Sequence, residues 1–446
     1  MDNKTIYALS TVFGKSGVAL VRISGRNAFA VFEKMTALPA ENITPRKMYF
    51  TEIFDCVSHE TLDNCLVVGF KAPHSFTGED SVEINCHGSK AVIRSILDAL
   101  AALPDFRSAE PGEFSRRAFY NGKMDLTEAD GLADLIDAET KIQQKTALRQ
   151  MGGALLNLYD SWRSELVELL AHIEAYIDFP DEEIPQDTVF KIENSVFKII
   201  KAIEMHLEAN KVEERLRDGF HVVIAGPTNA GKSSLINTIV KRNVAIVSDI
   251  AGTTRDVIEA YVDLGGFPVV FSDTAGLRDS SDAIEKIGIE LAREKIEAAD
   301  YNIFMFDATE TSPEMFDEMI KNSEHYMLVA NKCDKLSDAQ KQKLADKGCL
   351  LISAKHNENI AAITDRLRAY FESIYEQGAA CLMTRCRYKE SLNECLENLK
   401  RFNLQKEIEL SAEDIRLACR AIGKITGRVE VDEILDKIFS SFCIGK

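Results

Sequence analysis

The stretch His221-Val222-Val223-Ile224-Ala225-Gly226-Pro227-Thr228-Asn229-Ala230-Gly231-Lys232-Ser233 decides the reading of the central fold. Its first five residues are an apolar, β-branched run, which predicts a strand. The next eight spell Gly-x4-Gly-Lys-Ser, and Ser234-Leu235-Ile236-Asn237 continues with helical character. A strand, a glycine-rich loop and a helix in that order form the setting in which backbone N–H groups cradle phosphates. The helix N-terminus adds partial positive charge. Lys232 is expected on the β- and γ-phosphates, and the Ser233 hydroxyl on Mg2+.

Three further loops follow in the order such a site needs. Asp273-Thr274-Ala275-Gly276 closes the strand-like Pro268–Ser272 run. The Asp273 carboxylate can hold the metal through water, and Gly276 N–H can meet a γ-phosphate. Thr274 has a plainer reading as a turn-shaping residue. Asn331-Lys332-Cys333-Asp334 follows Tyr326–Ala330, and Ser353-Ala354-Lys355 follows Leu350–Ile352. A carboxylate at Asp334 accepts from N1–H and the 2-amino group of guanine. Adenine would leave it unpaired, so guanine is selected. Upstream, Ser248-Asp249-Ile250-Ala251-Gly252-Thr253-Thr254-Arg255-Asp256 supplies Thr254 as the switch threonine, sensing Mg2+ and γ-phosphate. Leu277 stands where a water-orienting glutamine would be expected. The nucleotide contacts expected are therefore Asn229, Ala230, Gly231, Lys232, Ser233 and Ser234; 248–254; 273–276; Asn331, Lys332 and Asp334; and Ser353, Ala354 and Lys355.

Outward from this core, 446 residues predict about three domains at roughly 150 residues each. Residues 1–118 read as mixed α/β, with strands at Val18–Ile23, Cys65–Phe70 and Ser81–Cys86 and a helix after Gly88. Residues 119–215 read as helical. Leu148, Met151, Leu155, Leu158, Trp162, Leu166, Leu169, Ile173 and Ile177 predict one face of a single long helix. Phe179–Pro185 breaks it, and Ile192, Val196, Ile199, Ile203 and Leu207 predict a second. Residues 216–375 alternate strand and helix, and 376–446 are helical again, so the α/β unit reads as an insertion whose flanks pack together.

Lys plus Arg is 53 against 71 for Asp plus Glu, a net charge of −18. This balance argues against a bulk-basic nucleic-acid binder but leaves room for a local basic patch. The ten cysteines contain no CxxC pair, which argues against zinc and a disulfide framework and for small core residues in a reducing compartment. Met1-Asp2-Asn3-Lys4 does not open a signal peptide, and no apolar run reaches membrane-spanning length.

Asn229 in the phosphate loop, with Gly252-Thr253-Thr254-Arg255-Asp256, resembles the potassium-activated branch of the translation-factor-like GTPases. That resemblance implies K+ held by Asn229 and the backbone at Ser248, Ile250 and Thr253, where other GTPases receive an arginine finger. The plainer reading of Asn229 is a loop-shaping residue. The match then widens. Val21-Arg22-Ile23-Ser24-Gly25, Ser75–Glu83 with Cys86-His87-Gly88, Pro111–Leu126, and the closing Cys443-Ile444-Gly445-Lys446 are similar to motifs of the tRNA modification GTPase family MnmE, also called TrmE. Ser89 replaces a usual Gly, and Pro227-Thr228 a basic-Pro pair.

This resemblance spans the chain and implies an N-terminal mixed α/β folate-binding and dimerisation domain (1–118). It also implies a helical bundle in two parts (119–215 and 376–446) and an inserted Ras-like P-loop GTPase domain (216–375). It implies that Arg22, Glu83, Lys123 and Lys446 contact 5,10-methylenetetrahydrofolate, and 5-formyltetrahydrofolate could fill the same site. On residues alone Arg22 is a strand charge, Lys123 a turn residue and Lys446 a chain end. Cys443 is either a reactive thiol or a small residue packing the last helix. Glu285 falls on the family's water-orienting position, and is otherwise a solvated helix charge. The implied reaction adds an aminomethyl or carboxymethylaminomethyl group to C5 of the wobble uridine of certain tRNAs. It is carried out in the cytoplasm by a homodimer in heterotetrameric complex with a FAD-binding MnmG-like protein. The competing reading is a ribosome-assembly GTPase of the same branch. It predicts a basic RNA-binding module that 376–446 does not display.

Overall fold

The computed structural model describes residues 3–178, 186–242, 244–245, 259–273, 293–378, 385–404 and 407–429, together with 435, 438–439, 442 and 444–445. The chain divides into two compact units. One is Met1–Ala133, Leu156–Arg163 and Cys419–Lys446; the other is Asp134–Leu155 and Ser164–Ala418.

The first unit is built on a six-stranded sheet of order β3-β4-β5-β2-β1-β6. Its strands are β1 (Thr5–Leu9), β2 (Ser16–Ser24), β3 (Met48–Phe54), β4 (Thr61–Phe70), β5 (Ser81–Gly88) and β6 (Phe106–Ser108). Helices α1 (Ala30–Met35) and α2 (Lys90–Ala101) bury Val31, Phe32, Met35, Ile93, Ile96 and Leu100 with the inward residues Val21, Ile23, Val67, Val82 and Ile84. A buried side chain of this size contributes about 1.5–3 kcal/mol. Helices α3 (Glu113–Tyr120) and α4 (Leu126–Asp137) follow. Leu126 and Ala129 pack with Leu435, Ile438, Phe439 and Phe442 of the C-terminal segment.

The run predicted as one helix from Leu148 to Ile177 is two. Helix α5 (Lys141–Met151) ends at Gly152-Gly153, and α6 (Ala154–Asp178) begins anew. Gly153 lies at φ +76°, a conformation that ends a helix and suits glycine. Leu148 is half exposed, while Trp162, Leu166, Leu169 and Ile173 are buried as the periodicity predicts. The second stripe forms α7 (Gln186–Asp218), burying Ile192, Val196, Ile199 and Ile203.

The second unit carries a seven-stranded sheet of order β13-β12-β11-β7-β10-β9-β8. Its strands are β7 (Phe220–Ala225), β8 (Val244–Ala245), β9 (Glu259–Leu264), β10 (Phe267–Asp273), β11 (Tyr301–Asp307), β12 (Tyr326–Asn331) and β13 (Leu350–Leu351). β7 lies between β10 and β11, parallel to both, and β9–β10 is the hairpin turning at Gly265-Gly266. β10 and β11 are buried along their whole length, as parallel strands covered on both faces must be. α8 (Lys232–Arg242), α9 (Asp338–Asp346) and α10 (Ile360–Gly378) complete the α/β layer, with Phe371 of α10 stacked on Phe220 at 4.3 Å. Beyond it come α11 (Cys386–Arg401) and α12 (Ile408–Thr426). The flanks meet within this unit: Lys400 pairs with Glu204 at 2.8 Å, Arg416 with Glu174 at 2.8 Å and Arg385 with Asp134 at 2.7 Å.

Candidate functional site

The described residues expected to contact nucleotide follow the C-terminal ends of parallel strands, the edge at which open α/β sheets bind ligands. β7 delivers the phosphate loop. Asn229 at its tip is left-handed, φ +67°, and exposed. Asn tolerates that region better than most residues. Gly231 is at φ +100°, and a Cβ there would stand 2.3 Å from Asn331 Nδ2, so only glycine fits. Lys232 is buried; its Nζ donates to the Gly226 carbonyl at 2.9 Å and the Pro227 carbonyl at 3.0 Å. The loop thus wraps its own ammonium. Ser233 Oγ donates to Asp273 Oδ2 at 3.1 Å, and Lys232 Nζ is 3.8 Å from Asp273 Oδ1. A hydroxyl and a carboxylate brought together beside a phosphate loop match the oxygen-rich donor set of a hard divalent cation. A divalent cation such as Mg2+ fits this donor pair.

The base side is assembled from β12 and β13. Asn331 is buried and bridges two loops: its Nδ2 donates to Ala230 O at 2.7 Å, and its Oδ1 accepts from Ala354 N at 3.0 Å. Lys332, left-handed at φ +63°, donates to Asp307 at the end of β11. Burial raises the Asp307 carboxyl, but Lys332 and the Thr309 hydroxyl and N–H outweigh it and hold it below the usual range. The same contact raises Lys332. The Ser353 hydroxyl holds the Asp334 carboxyl below its ordinary value. Ser353 itself is buried, and Lys355 is exposed. Asp307 was not among the residues expected from sequence. Its signal is the same as that of Asp273, an acidic residue closing an apolar strand.

In the other unit, Arg22 and Glu83 face each other across β2 and β5, with Arg22 Nε and Nη2 each 3.0 Å from Glu83 Oε1. The Arg22 guanidinium also lies over the rings of Phe76 (5.3 Å) and Phe114 (5.9 Å). Lys123 is exposed and packs its stem beside Gly78, in the loop that carries Phe76. That loop is held by buried Arg117, which reaches Glu79 at 3.1 Å and Glu113 at 3.0 Å. Ser248, Asp249, Ile250, Ala251, Gly252, Thr253, Thr254, Thr274, Ala275, Gly276, Glu285, Cys443 and Lys446 lie outside the described residues.

Comparison with known proteins points to one family. The family model described as the MnmE helical domain matches residues 126–443, and that of the GTP-binding protein TrmE N-terminus matches 5–123. The tRNA modification GTPase MnmE of Rickettsia bellii (strain RML369-C) is 45% identical over 454 residues, covering 99% of this chain and 100% of that protein. Its counterpart in Parvibaculum lavamentivorans is 46% identical over 447 residues, with the same coverage. Among solved structures, a point variant of Aquifex aeolicus Era bound to GDP.AlF4- is 29% identical, covering 34% of this chain and 56% of that one, with a TM-score of 0.28. A phosphate loop after the central strand, a carboxylate facing its serine and an Asn-Lys-x-Asp loop define a P-loop GTPase, a GTP hydrolase. The chain belongs to the tRNA modification GTPase MnmE family. Among the described residues no helix is long and apolar enough to cross a membrane.

Proposed function

We propose that this chain is a potassium-activated GTPase that works as a homodimer with a flavin-binding, MnmG-like partner in the cytoplasm. Together they add an aminomethyl or carboxymethylaminomethyl group to C5 of the wobble uridine of certain tRNAs. The observation that carries the GTPase half is the cluster of Lys232, Ser233 and Asp273 at the mouth of the phosphate loop. Mg2+ would be held by Ser233 and Thr254. K+ would be held by Asn229 with Ser248, Ile250 and Thr253, and would supply charge to the developing transition state at the phosphates. Asn229 supports this reading because it stands exposed at the tip of the phosphate loop. Glu285 would orient the attacking water in place of glutamine.

The one-carbon donor, 5,10-methylenetetrahydrofolate, would lie at Arg22, Glu83, Lys123 and Lys446. The Arg22–Glu83 pair leaves both contacts on one carboxylate oxygen, and Phe76, 37% exposed, offers an apolar face to a fused ring. Cys443 would be the reactive thiol near it. We read residues 1–118 as the folate and dimer domain, 119–215 with 376–446 as the helical domain, and 216–375 as the G domain. GTP turnover measured in KCl and NaCl at equal ionic strength tests the reading. K+ should accelerate it far more than Na+; equal rates would remove the K+ assignment and Asn229 with it.

A further inference from the structure

The net charge of −18 makes any local cluster of cations on this chain conspicuous. One lies in the first unit, at the turn joining β1 to β2. The base of that turn is braced: Ser10 N donates to Leu20 O at 2.8 Å, and Leu20 N donates to Thr11 Oγ1 at 3.2 Å. Its tip is not covered. Val12 is 89% exposed and Phe13 43%. Two cations from the solvent face of α2 converge on the Phe13 ring, Lys90 Nζ at 5.8 Å and Arg94 Cζ at 5.6 Å from its centroid. They stand one helical turn apart, and Lys15 is exposed on the same turn. Ser10 Oγ donates to Gly445 O at 3.0 Å, so the turn is also tied to the C-terminal end of the chain.

An exposed aromatic ring flanked by cations is the arrangement with which proteins hold unpaired nucleotides. A base stacks on the ring while the cations meet the flanking phosphates. We propose that the β1–β2 turn and the first two turns of α2 form a contact surface for an unpaired segment of the tRNA, with Phe13 stacking on a base and Lys15, Lys90 and Arg94 meeting phosphates. The inference rests on the family's tRNA substrate being held by this chain, and it assigns the place. Charge decides for RNA over an acidic protein helix, because a polyanion with flat bases satisfies both the three cations and the exposed ring, whereas a helix face satisfies only the cations.

The test is fluorescence anisotropy of a labelled, unmodified tRNA transcript titrated with the full-length protein. Phe13→Ala should weaken binding about tenfold and Phe13→Tyr should restore it, the sequence-tolerant signature of stacking. The double variant Lys90→Glu with Arg94→Glu should weaken binding further and reduce the slope of log K against log salt by about two. Melting curves like the wild type's show that the variants are folded. Wild-type affinity in Phe13→Ala, or a loss that Phe13→Tyr does not restore, overturns the surface while leaving the tRNA reading intact. A Phe13→Ala variant that changes oligomeric state in sedimentation overturns it in favour of an interface between copies. Wild-type protein that retains no tRNA, alone or with its flavin-binding partner, overturns both the surface and the reading beneath it.

Discussion

Asn331→Ala is the sharpest probe of how the GTP site is held together. In the wild type this one buried amide joins the phosphate loop to the base loop, donating to Ala230 O at 2.7 Å and accepting from Ala354 N at 3.0 Å. Ala230 is fully buried and Ala354 is 8% exposed, so water cannot readily replace either contact. Truncation leaves one carbonyl and one N–H unpaired. At about 1.5 kcal/mol for each orphaned buried group, the cost is about 3 kcal/mol, or about a hundredfold in an equilibrium constant. On the reading that nucleotide binds the joined arrangement, the cost falls on affinity. Titration with a fluorescent GDP analogue reads it directly. Asn331→Asp keeps the acceptor for Ala354 but turns a carboxylate toward the Ala230 carbonyl, and should bind no better than the alanine variant. A dissociation constant within about threefold of wild type for Asn331→Ala would refute the bridging role.

Asp307→Asn removes the charge that holds Lys332; because Lys332 is 30% exposed the effect is discounted to about 1 kcal/mol, which should raise the KM for GTP about fivefold with kcat unchanged in steady-state assays. A fall in kcat at unchanged KM would contradict this positioning role. Burial pushes His206 down to about 4, so its neutral form is the folded form. Its contribution is complete above the unfolded value near 6.5 and is lost as pH falls toward about 4, by up to about 3 kcal/mol; thermal melts across that range should show the loss, and His206→Leu should flatten it.

What could be read in advance depended on how local the chemistry is in sequence. Gly226–Ser233 form their own cradle within eight consecutive residues, so composition and order suffice to identify it. The strands on either side are apolar runs whose burial follows from their place inside the sheet. Asp307 escaped notice because its partner Lys332 is 25 residues away and only the parallel pairing of β11 with β12 brings them together. Arg117 escaped for the same reason: a buried guanidinium is visible only once Glu79, 38 residues upstream, folds onto it. The helix break at Gly152-Gly153 was hidden by Leu148 and Leu155. A spacing of seven spans two helical turns whether or not the helix continues, and the paired glycines were the contrary signal. β1, β3 and β6 are short or lie at an edge, where apolar patterning is weakest.

The central claim is that GTP turnover at Lys232 serves modification of a tRNA wobble uridine. Nucleoside analysis by mass spectrometry of tRNA from cells lacking this protein tests it most directly, with complementation by the wild type or by Lys232→Ala. C5-modified wobble uridine should be missing in the deletion, return with the wild type and stay missing with Lys232→Ala. A full complement of the modified nucleoside in the deletion would contradict the account.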